Sequence, residues 1–319
     1  MEGRGVAQKR IVTLTINPAL DRNTRIERVS PNDKLRCEPP QREPGGGGIN
    51  VSRAIRRLGG QSLAVFPCGG PIGEMFKALL AEEGVEHHPI DIEGTTRENV
   101  TVFEGGASQH YIFIMPGPEL KEAEWEGTLE GVRGLDRAPD YLVASGSCPP
   151  GVPADFYRRV AELSHDLGSR LIVDTSDEPL RLAAEAGVYL LKPNMRELGQ
   201  LAGQEIESEE QQIAAAKELV GSGQAEVVVV SMGAGGALLV TDELGEHLRT
   251  PTVPIRSRLG AGDSMVAGIV LGLARGESVL EATRFGIAAG ASAVMTPRTE
   301  LCRREDTERL YQRLTSGET

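Results

Sequence analysis

The fold is decided by four short apolar segments, which read YLVASG (141–146), RLIVDTS (170–176), YLLKPN (189–194) and EVVVVSMG (226–233). Short runs this rich in Val, Ile and Leu are typical of strands that are buried on both faces. The segments between them have helical character, and they lie near 153–167, 178–187, 195–202 and 208–221. Strands that alternate with helices across short connections predict a parallel sheet with helices on both sides. The fold class is therefore α/β.

The rest of the chain extends this pattern and adds one departure from it. Further buried strands are predicted at 11–16 and 62–70, and further helices at 49–60, 71–84, 262–275 and 278–294. Four other stretches alternate apolar with polar residues, as strands exposed on one face do, and these are 23–29, 34–42, 99–104 and 109–115. We interpret them as a small β appendage, or lid, on a single domain that spans 1–319.

Composition and charge exclude several classes of protein. The formal net charge is −12, so most of the surface would repel nucleic acid and anionic membranes. No apolar run approaches the roughly 18 residues of a membrane span. The four cysteines are far apart and form no C-x-x-C pair, which favours reduced thiols and a cytoplasmic protein. G-x-x-x-x-G-K-[ST] and G-x-G-x-x-G are both absent, which disfavours a P-loop nucleotide site and a dinucleotide fold.

The strongest local motif is Gly260-Ala261-Gly262-Asp263, which leads into the apolar segment SMVAGIVLGLARG. A glycine turn before a helix exposes backbone amides at the helix N-terminus, where they attract anions. A carboxylate beside such amides can accept a proton from an alcohol while the amides stabilise a transferring phosphoryl group. The alternative is that Asp263 only caps the helix, and the motif alone does not separate the two.

Three further motifs have two interpretations each. The glycines of 45–48 precede a helix and Asn50, an arrangement that suits sugar hydroxyls, although a flexible linker is the alternative. Asn194 and Glu197 are spaced to order water around Mg²⁺ or simply to cap a helix. The turn at 231–236 lies against a nucleotide or merely closes a hairpin.

The order of these motifs is more specific than any one of them. N-P-A-L-D (17–21), GGGGIN (45–50), K-P-N-x-x-E (192–197), S-x-G (231–233) and GAGD (260–263) follow one another. This order resembles that of the ribokinase-like (PfkB) family of carbohydrate kinases, from about residue 11 to residue 314. The resemblance implies a ribokinase-like three-layer sandwich with a mostly parallel central sheet. It also implies a β-sheet lid built from about 23–43 and 97–115, ATP and Mg²⁺ as cofactors, and a homodimer formed through the lid.

Within the family, the likeness is to the ribokinase-type 6-phosphofructokinases, and the matching stretches are KLRC (34–37), EPGGGGINV (43–51), SGSCPPG (145–151), GAGDSM (260–265) and RFGIAAG (284–290). This implies phosphorylation of the 1-hydroxyl of fructose 6-phosphate, a step of glycolysis. Tagatose-6-phosphate and fructose-1-phosphate kinases of the family usually carry glycine-lysine-glycine where this chain has Gly46-Gly47-Gly48. They remain alternatives, as do a non-catalytic sugar-phosphate sensor and, less favoured, a nicotinamide-dependent oxidoreductase.

The resemblance also implies a role for individual residues. Asp263 would be the general base, beside the amides of Gly260, Ala261 and Gly262. The sugar phosphate would contact Asp21, Lys34, Gly46, Gly47, Asn50, Arg97 and Ser147. ATP would contact Lys192, Asn194, Ser231 and Gly233, and Glu197 would act on Mg²⁺ through water. A monovalent cation, K⁺, would lie at Ser257, Leu259, Ala293, Thr296, Arg298 and Glu300, where arginine at 298 replaces the family's small glycine.

Overall fold

The computed structural model describes residues 8–297 and 300–316. Nine strands of this part of the chain form one large sheet. In spatial order, they are β13 (Gly245–Leu248), β12 (Ala237–Val240), β11 (Ala225–Ser231), β10 (Val188–Leu191), β9 (Arg170–Asp174), β8 (Tyr141–Ser145), β1 (Ile11–Leu14), β4 (Leu63–Cys68) and β5 (Glu86–Asp91). Every ladder from β11 to β5 is parallel, whereas both ladders of β12 are antiparallel. The predicted, mostly parallel sheet is confirmed.

Two layers of helices cover this sheet. The helices are α1 (Gly47–Arg57), α2 (Gly70–Glu82), α3 (Glu122–Arg133), α4 (Phe156–Asp166), α5 (Asp177–Glu185), α6 (Met195–Ala202), α7 (Glu209–Gly221), α8 (Ala261–Ala274), α9 (Val279–Val294) and α10 (Arg304–Ser316). One buried cluster packs α1, α8 and α9 against the sheet, and another packs α3 to α7. Among the described residues, no helix is long and apolar enough to cross a membrane.

The valines of β11 explain why these strands are apolar throughout. Val227 and Val229 belong to the cluster beneath α8 and α9, whereas Val228 and Val230 belong to the cluster beneath α7. Successive side chains of a strand point to opposite faces. A strand covered on both sides therefore needs apolar residues at every position, rather than at every second position. This is the physical basis of the three-layer α/β sandwich that the sequence predicts.

A second sheet lies apart from the large one, with strand order β3-β2-β6-β7. Its strands are β2 (Ala19–Ile26), β3 (Gln41–Gly45), β6 (Arg97–Glu104) and β7 (Gln109–Phe113). The β2–β6 ladder is parallel and the other two are antiparallel, so this small sheet is mixed.

The prediction of a strand over 34–42 is largely wrong. Residues 27–40 form no strand, and every residue of 31–40 is exposed. Pro39 and Pro40 have no N–H to donate to a ladder, and an exposed segment gives the alternating Leu35 and Cys37 no apolar surface to pack against. The pairing begins only at Gln41. Strand β5 and helix α3 are two elements that the motif pattern did not predict.

Candidate active site

The polar segments that follow the parallel strands meet along one edge of the large sheet. Because all of these strands run in the same direction, their carboxyl ends lie side by side, where α/β proteins bind ligands. Strand β9 ends at Asp174, and Lys192 follows β10 directly. The Nζ atom of Lys192 lies 3.2 Å from Oδ1 of Asp174. This ion pair connects two adjacent strand ends.

Helix α8 begins at the same edge. Its N-cap is Gly260, which has φ 72° and makes no side-chain cap hydrogen bond. A Cβ at residue 260 would also lie 2.7 Å from Cδ2 of Leu301, so glycine suits this turn both by conformation and by space. Asp263 is the third residue of the helix, and it is therefore not the N-cap. The first-turn amides of α8 have no partners within the helix.

The carboxylate of Asp263 is held by α1. Its Oδ2 atom accepts a hydrogen bond of 2.9 Å from Nδ2 of Asn50. Burial and the nearby Asp174 carboxylate raise the pKa of Asp263 to about 7, against the opposing effects of the Asn50 hydrogen bond and Lys192. A carboxyl group with a pKa near neutrality is well matched to general-base catalysis.

Lys192 remains charged although it is buried. Burial alone would lower its pKa, but Asp174, Glu197 and Asp263 outweigh that effect and raise the pKa of Lys192 above its usual value. Its Nζ atom would lie 3.8 Å from a Cβ placed on Gly262. A buried cation therefore lies beside the amides of the α8 N-terminus, as binding of a phosphoryl group requires.

The K-P-N-x-x-E segment forms a helix cap. The side chain of Asn194 accepts from the backbone N–H of Glu197 at 3.0 Å, and Oε2 of Glu197 accepts from the N–H of Asn194 at 2.8 Å. This is the capping box that begins α6. The cap leaves Oε1 of Glu197 outside the capping box, so the residues still fit an Mg²⁺-bound water. Asn194 also forms a parallel bridge with Ser231.

The turn after β11 contains Ser231 and Gly233. A short 3₁₀ turn spans Gly233–Gly235, and the chain then returns as β12. The N–H of Ser231 donates to the carbonyl of Pro193 at 2.9 Å. The hairpin interpretation is therefore confirmed, and the segment lies at the sheet edge beside Lys192. Its contact with a nucleotide stays a prediction.

The glycine run joins the small sheet to α1, and the flexible-linker interpretation is wrong. Gly46 has φ 113°, a conformation that favours glycine. A Cβ on Gly47 would lie 2.8 Å from the Gly146 nitrogen and would also strike Oγ of Ser145, and one on Gly48 would lie 2.6 Å from Oγ1 of Thr15. The backbone here passes directly over the ends of β1 and β8.

Asp21 and Arg97 extend the site onto the small sheet. Asn99 donates to Oδ1 of Asp21 at 2.9 Å, and burial raises the pKa of Asp21. The guanidinium of Arg97 donates to the carbonyls of Asn17 and Met115, each at 3.0 Å. Arg97 therefore joins the end of β1 to the segment after β7.

Ser147 lies at the junction between the two sheets. Its hydroxyl accepts a hydrogen bond of 3.3 Å from Nδ2 of Asn17. Oδ1 of Asn17 and Oγ1 of Thr15 are buried and have no hydrogen-bond partner in the described part of the chain. Buried polar atoms are normally paired, so these two indicate a place for ligand hydroxyls or water. Lys34 lies instead in the exposed segment between β2 and β3.

Five of the six residues implied for a monovalent cation lie near the C-terminal end of α9. The N–H of Ser257 donates to the carbonyl of Val294 at 3.3 Å, and Leu259 donates to Oγ of Ser257 at 3.2 Å. Oγ1 of Thr296 lies 2.7 and 2.6 Å from the carbonyl oxygens of Ala293 and Glu300, to either of which it can donate. These carbonyls are hard oxygen donors, as K⁺ requires. Arg298 lies outside the described residues.

Sequence reasoning missed three residues of this site. Asp174 holds Lys192, Asn99 holds Asp21, and Arg53 donates towards Asn50. Asp174 could have been found, because RLIVDTS places a carboxylate at a strand end next to the strand that precedes Lys192. Asn99 and Arg53 carried no such signal, since Asn99 is 78 residues from Asp21 and the Glu83 that orients Arg53 is 30 residues away from it.

Comparison with known proteins identifies the family. Residues 14–306 match the pfkB family of carbohydrate kinases. The ATP-dependent 6-phosphofructokinase isozyme 2 of Mycobacterium tuberculosis is 46% identical over 303 residues, which are 95% of this chain and 89% of that protein. A 1-phosphofructokinase of Bacillus subtilis is 35% identical over 286 residues, which are 90% of this chain and 93% of that protein.

A solved structure agrees with this match. The crystal structure of phosphofructokinase-2 from Escherichia coli in complex with potassium superimposes with a TM-score of 0.93 and 42% identity, and it covers 96% of this chain and 99% of that chain. The fold, the order of the motifs and the sequence matches agree over nearly the whole length. The chain therefore belongs to the pfkB family of carbohydrate kinases.

Proposed function

We propose that the protein is an ATP-dependent 6-phosphofructokinase, which converts fructose 6-phosphate and ATP to fructose 1,6-bisphosphate and ADP. One observation carries the proposal: the half-buried carboxylate of Asp263, with a pKa of about 7, lies in the first turn of α8 beside amides that have no partners within the helix. A base, an anion site and a neighbouring cation at one point are what phosphoryl transfer to an alcohol requires.

In the proposed reaction, Asp263 accepts the proton of the sugar 1-hydroxyl as that oxygen attacks the γ-phosphorus of ATP. A new phosphorus–oxygen bond forms in line with the bond to the β-phosphate, which breaks and releases ADP. The amides of Gly260, Ala261 and Gly262 stabilise the charge on the transferring group. Lys192, which lies beside these amides, neutralises the phosphates, and Asp174 keeps it charged and in place.

The sugar would lie between the glycine run and the small sheet. Asp21 and Asn50 hold its hydroxyls, Gly46 and Gly47 allow its ring to approach the backbone, and Ser147 contacts it from the segment after β8. The unpaired Oγ1 of Thr15 and Oδ1 of Asn17 support this position. Arg97 would bind the 6-phosphate, together with Lys34 once the exposed segment around it has moved inwards.

ATP would lie across the ends of β10 and β11, against Lys192, Asn194, Ser231 and Gly233. Mg²⁺ would be held through water by Glu197, and when bound it supplies positive charge to the nucleotide phosphates. The carbonyls around Ala293 and Glu300 would hold K⁺ close to the first turn of α8. The potassium in the related structure from E. coli supports that part of the proposal.

We also propose that the small sheet is a lid that pairs with the lid of a second subunit. Four consecutive exposed apolar residues lie at the end of β7, and these are Ile112, Phe113, Ile114 and Met115. An exposed apolar patch of this kind marks an interaction surface. A homodimer formed through the lid would bury it and would fix the sheet above the sugar.

A cytoplasmic location fits the same function. Sugar phosphates and ATP are metabolites of the cell interior, and all four cysteines are free. Free thiols are typical of proteins that work in a reducing compartment.

Measurement of ADP release over a panel of sugar phosphates tests the proposed function. We expect turnover with fructose 6-phosphate at a kcat/KM at least about tenfold above that for tagatose 6-phosphate or fructose 1-phosphate. The Gly46-Gly47-Gly48 run favours this order, and so does the lower identity of the 1-phosphofructokinase relative. A preference for fructose 1-phosphate would favour the second candidate, and no turnover with any sugar would favour a sensor.

A further inference from the structure

Arg53 is a buried charge that the proposed reaction does not use. It lies on α1, one turn after Asn50, and its side chain is 1% exposed. A charge this deeply buried needs partners for its donors. The contacts that satisfy it connect three segments of the chain, namely the end of α2, the start of the glycine run and Asn50.

Glu83 fixes the plane of the guanidinium. Nε of Arg53 donates to Oε2 of Glu83 at 2.8 Å, and NH2 donates to Oε1 at 2.6 Å. Such a two-bond fork sets the direction of the remaining nitrogen, which a lysine cannot do. Glu83 follows α2 directly as its C-cap, so it is attached to an element that packs on β5.

The remaining nitrogen points at the active site. NH1 of Arg53 donates to the carbonyl of Pro44 at 2.7 Å, and it lies 3.5 Å from Oδ1 of Asn50. Pro44 is paired with Leu20 in the small sheet and directly precedes the glycine run. Arg53 therefore holds the point where the chain passes from the small sheet to α1.

The contact with Asn50 determines which end of the amide faces Asp263. An amide has an oxygen that accepts and a nitrogen that donates. Because NH1 of Arg53 faces Oδ1, Nδ2 faces the Asp263 carboxylate, to which it donates at 2.9 Å. Without the cation, the amide could turn over and place its oxygen against the carboxylate, which would remove the bond that favours the charged base.

We infer that Arg53 is a positioning residue, which orients the Asn50 amide and the glycine run and so keeps Asp263 ready to accept a proton. The inference rests on the proposed function. Arg53 contacts neither the sugar nor the nucleotide in the proposed complex, and it acts through Asn50. The other charges that face Asp263 are those of Asp174, Lys192 and Asp21. Arg53→Lys removes none of them, and it keeps the positive charge that acts on Asp21.

The test compares Arg53→Lys with Arg56→Lys, which is the same substitution at an exposed position of the same helix. For Arg53→Lys, we expect kcat to fall at least about tenfold, and the acid limb of the pH–rate profile to move to higher pH by about half a unit or more. Arg56→Lys should match the wild-type enzyme in both. Thermal unfolding of each variant shows whether the fold is kept.

A double-mutant cycle with Asn50→Ala separates positioning from a general structural role. If Arg53 acts through Asn50, Arg53→Lys causes no further shift of the acid limb once the amide is gone. Equal shifts in both backgrounds would overturn the inference, and so would a wild-type profile for Arg53→Lys. If Arg53→Lys does not fold, Glu83→Gln takes its place. A shift of the acid limb to higher pH, smaller than the half unit expected for Arg53→Lys, supports the inference, and an acid limb at the wild-type pH overturns it. A wild-type enzyme without turnover would instead overturn the proposed function, and this inference with it.

Discussion

The N-terminal end of α8 and the small sheet differ in how firmly the rest of the molecule holds them. Every residue of α8 from Ser264 to Ala274 is buried, and the helix packs against α1, α9 and the large sheet. Strand β7 and the residues after it are largely exposed, and Ile114 has 63% of its surface accessible. The proposed base thus lies on a helix whose body is anchored in the core, whereas the proposed sugar contacts lie partly on a surface element. Substitutions at α8 should act on turnover, and those on the small sheet should act on sugar binding and assembly.

The largest effect is expected for Asp263→Asn, at the more firmly held of the two regions. Loss of the base should lower kcat by about 10³-fold or more, while ATP binding is retained. Steady-state kinetics and nucleotide titration measure the two effects. A kcat within about tenfold of the wild-type value would contradict the assignment of Asp263 as the base.

The second prediction concerns Gly47, where the two regions meet. Gly47→Ala places a methyl group against Ser145 and 2.8 Å from the Gly146 nitrogen, so the glycine run must move. We expect the KM for the sugar to rise at least about tenfold and stability to fall by about 1–3 kcal/mol. Gly127→Ala is the control, since its Cβ would lie 3.6 Å from Ile90 in ordinary contact. Equal results for both variants would show that close packing at Gly47 is unimportant.

The third prediction is a pH dependence with opposite signs for activity and stability. With a pKa of about 7, Asp263 becomes an active base as the pH rises through neutrality, so kcat rises and then levels off. The folded protein binds this proton more tightly than the unfolded chain does. The contribution of Asp263 to stability therefore falls as the pH rises from about 4 to about 7. Asp263→Asn should therefore gain about 1–3 kcal/mol of stability over wild type at pH 8 but nothing at pH 4. Urea unfolding at the two pH values checks this, and a gain that does not depend on pH would contradict it.

The smallest effect on turnover is expected on the small sheet. Ile114→Lys puts a charge into the exposed apolar patch, which should convert a dimer to a monomer and raise the KM for the sugar a few-fold, with kcat nearly unchanged. The control is Met75→Lys, which introduces the same charge at another exposed apolar position, on α2. It should leave the dimer intact. Sedimentation velocity distinguishes the two. A wild-type protein that is already monomeric would contradict the proposed dimer.

The sequence predicts the buried region better than the surface one. Strands that pack on both faces need apolar residues throughout, and a glycine turn before an apolar helix has few other interpretations, so β8 to β11 and the GAGD turn could be recognised directly. Their order along the chain then indicated the family. The alternation around Leu35 and Cys37 was misleading because an exposed strand depends on its neighbours for pairing, and Pro39 and Pro40 prevent that pairing.

Long-range contacts are the other part that the sequence does not predict. The bond from Asn50 to Asp263 joins residues far apart in the chain, and it exists because α1 and α8 pack side by side on one face of the sheet. The fork between Arg53 and Glu83 depends on where α2 ends. Local patterns identify which residue types can do the chemistry, but packing determines which of them meet.

The most direct test of the central claim is phosphorus NMR of a reaction that contains the protein, ATP, Mg²⁺ and fructose 6-phosphate. If the site at the N-terminal end of α8 transfers phosphate to the sugar 1-hydroxyl, fructose 1,6-bisphosphate and ADP appear in equal amounts, and their formation is abolished in Asp263→Asn. ADP without a new sugar phosphate, a product phosphorylated at another position, or equal rates for the two proteins would contradict the claim.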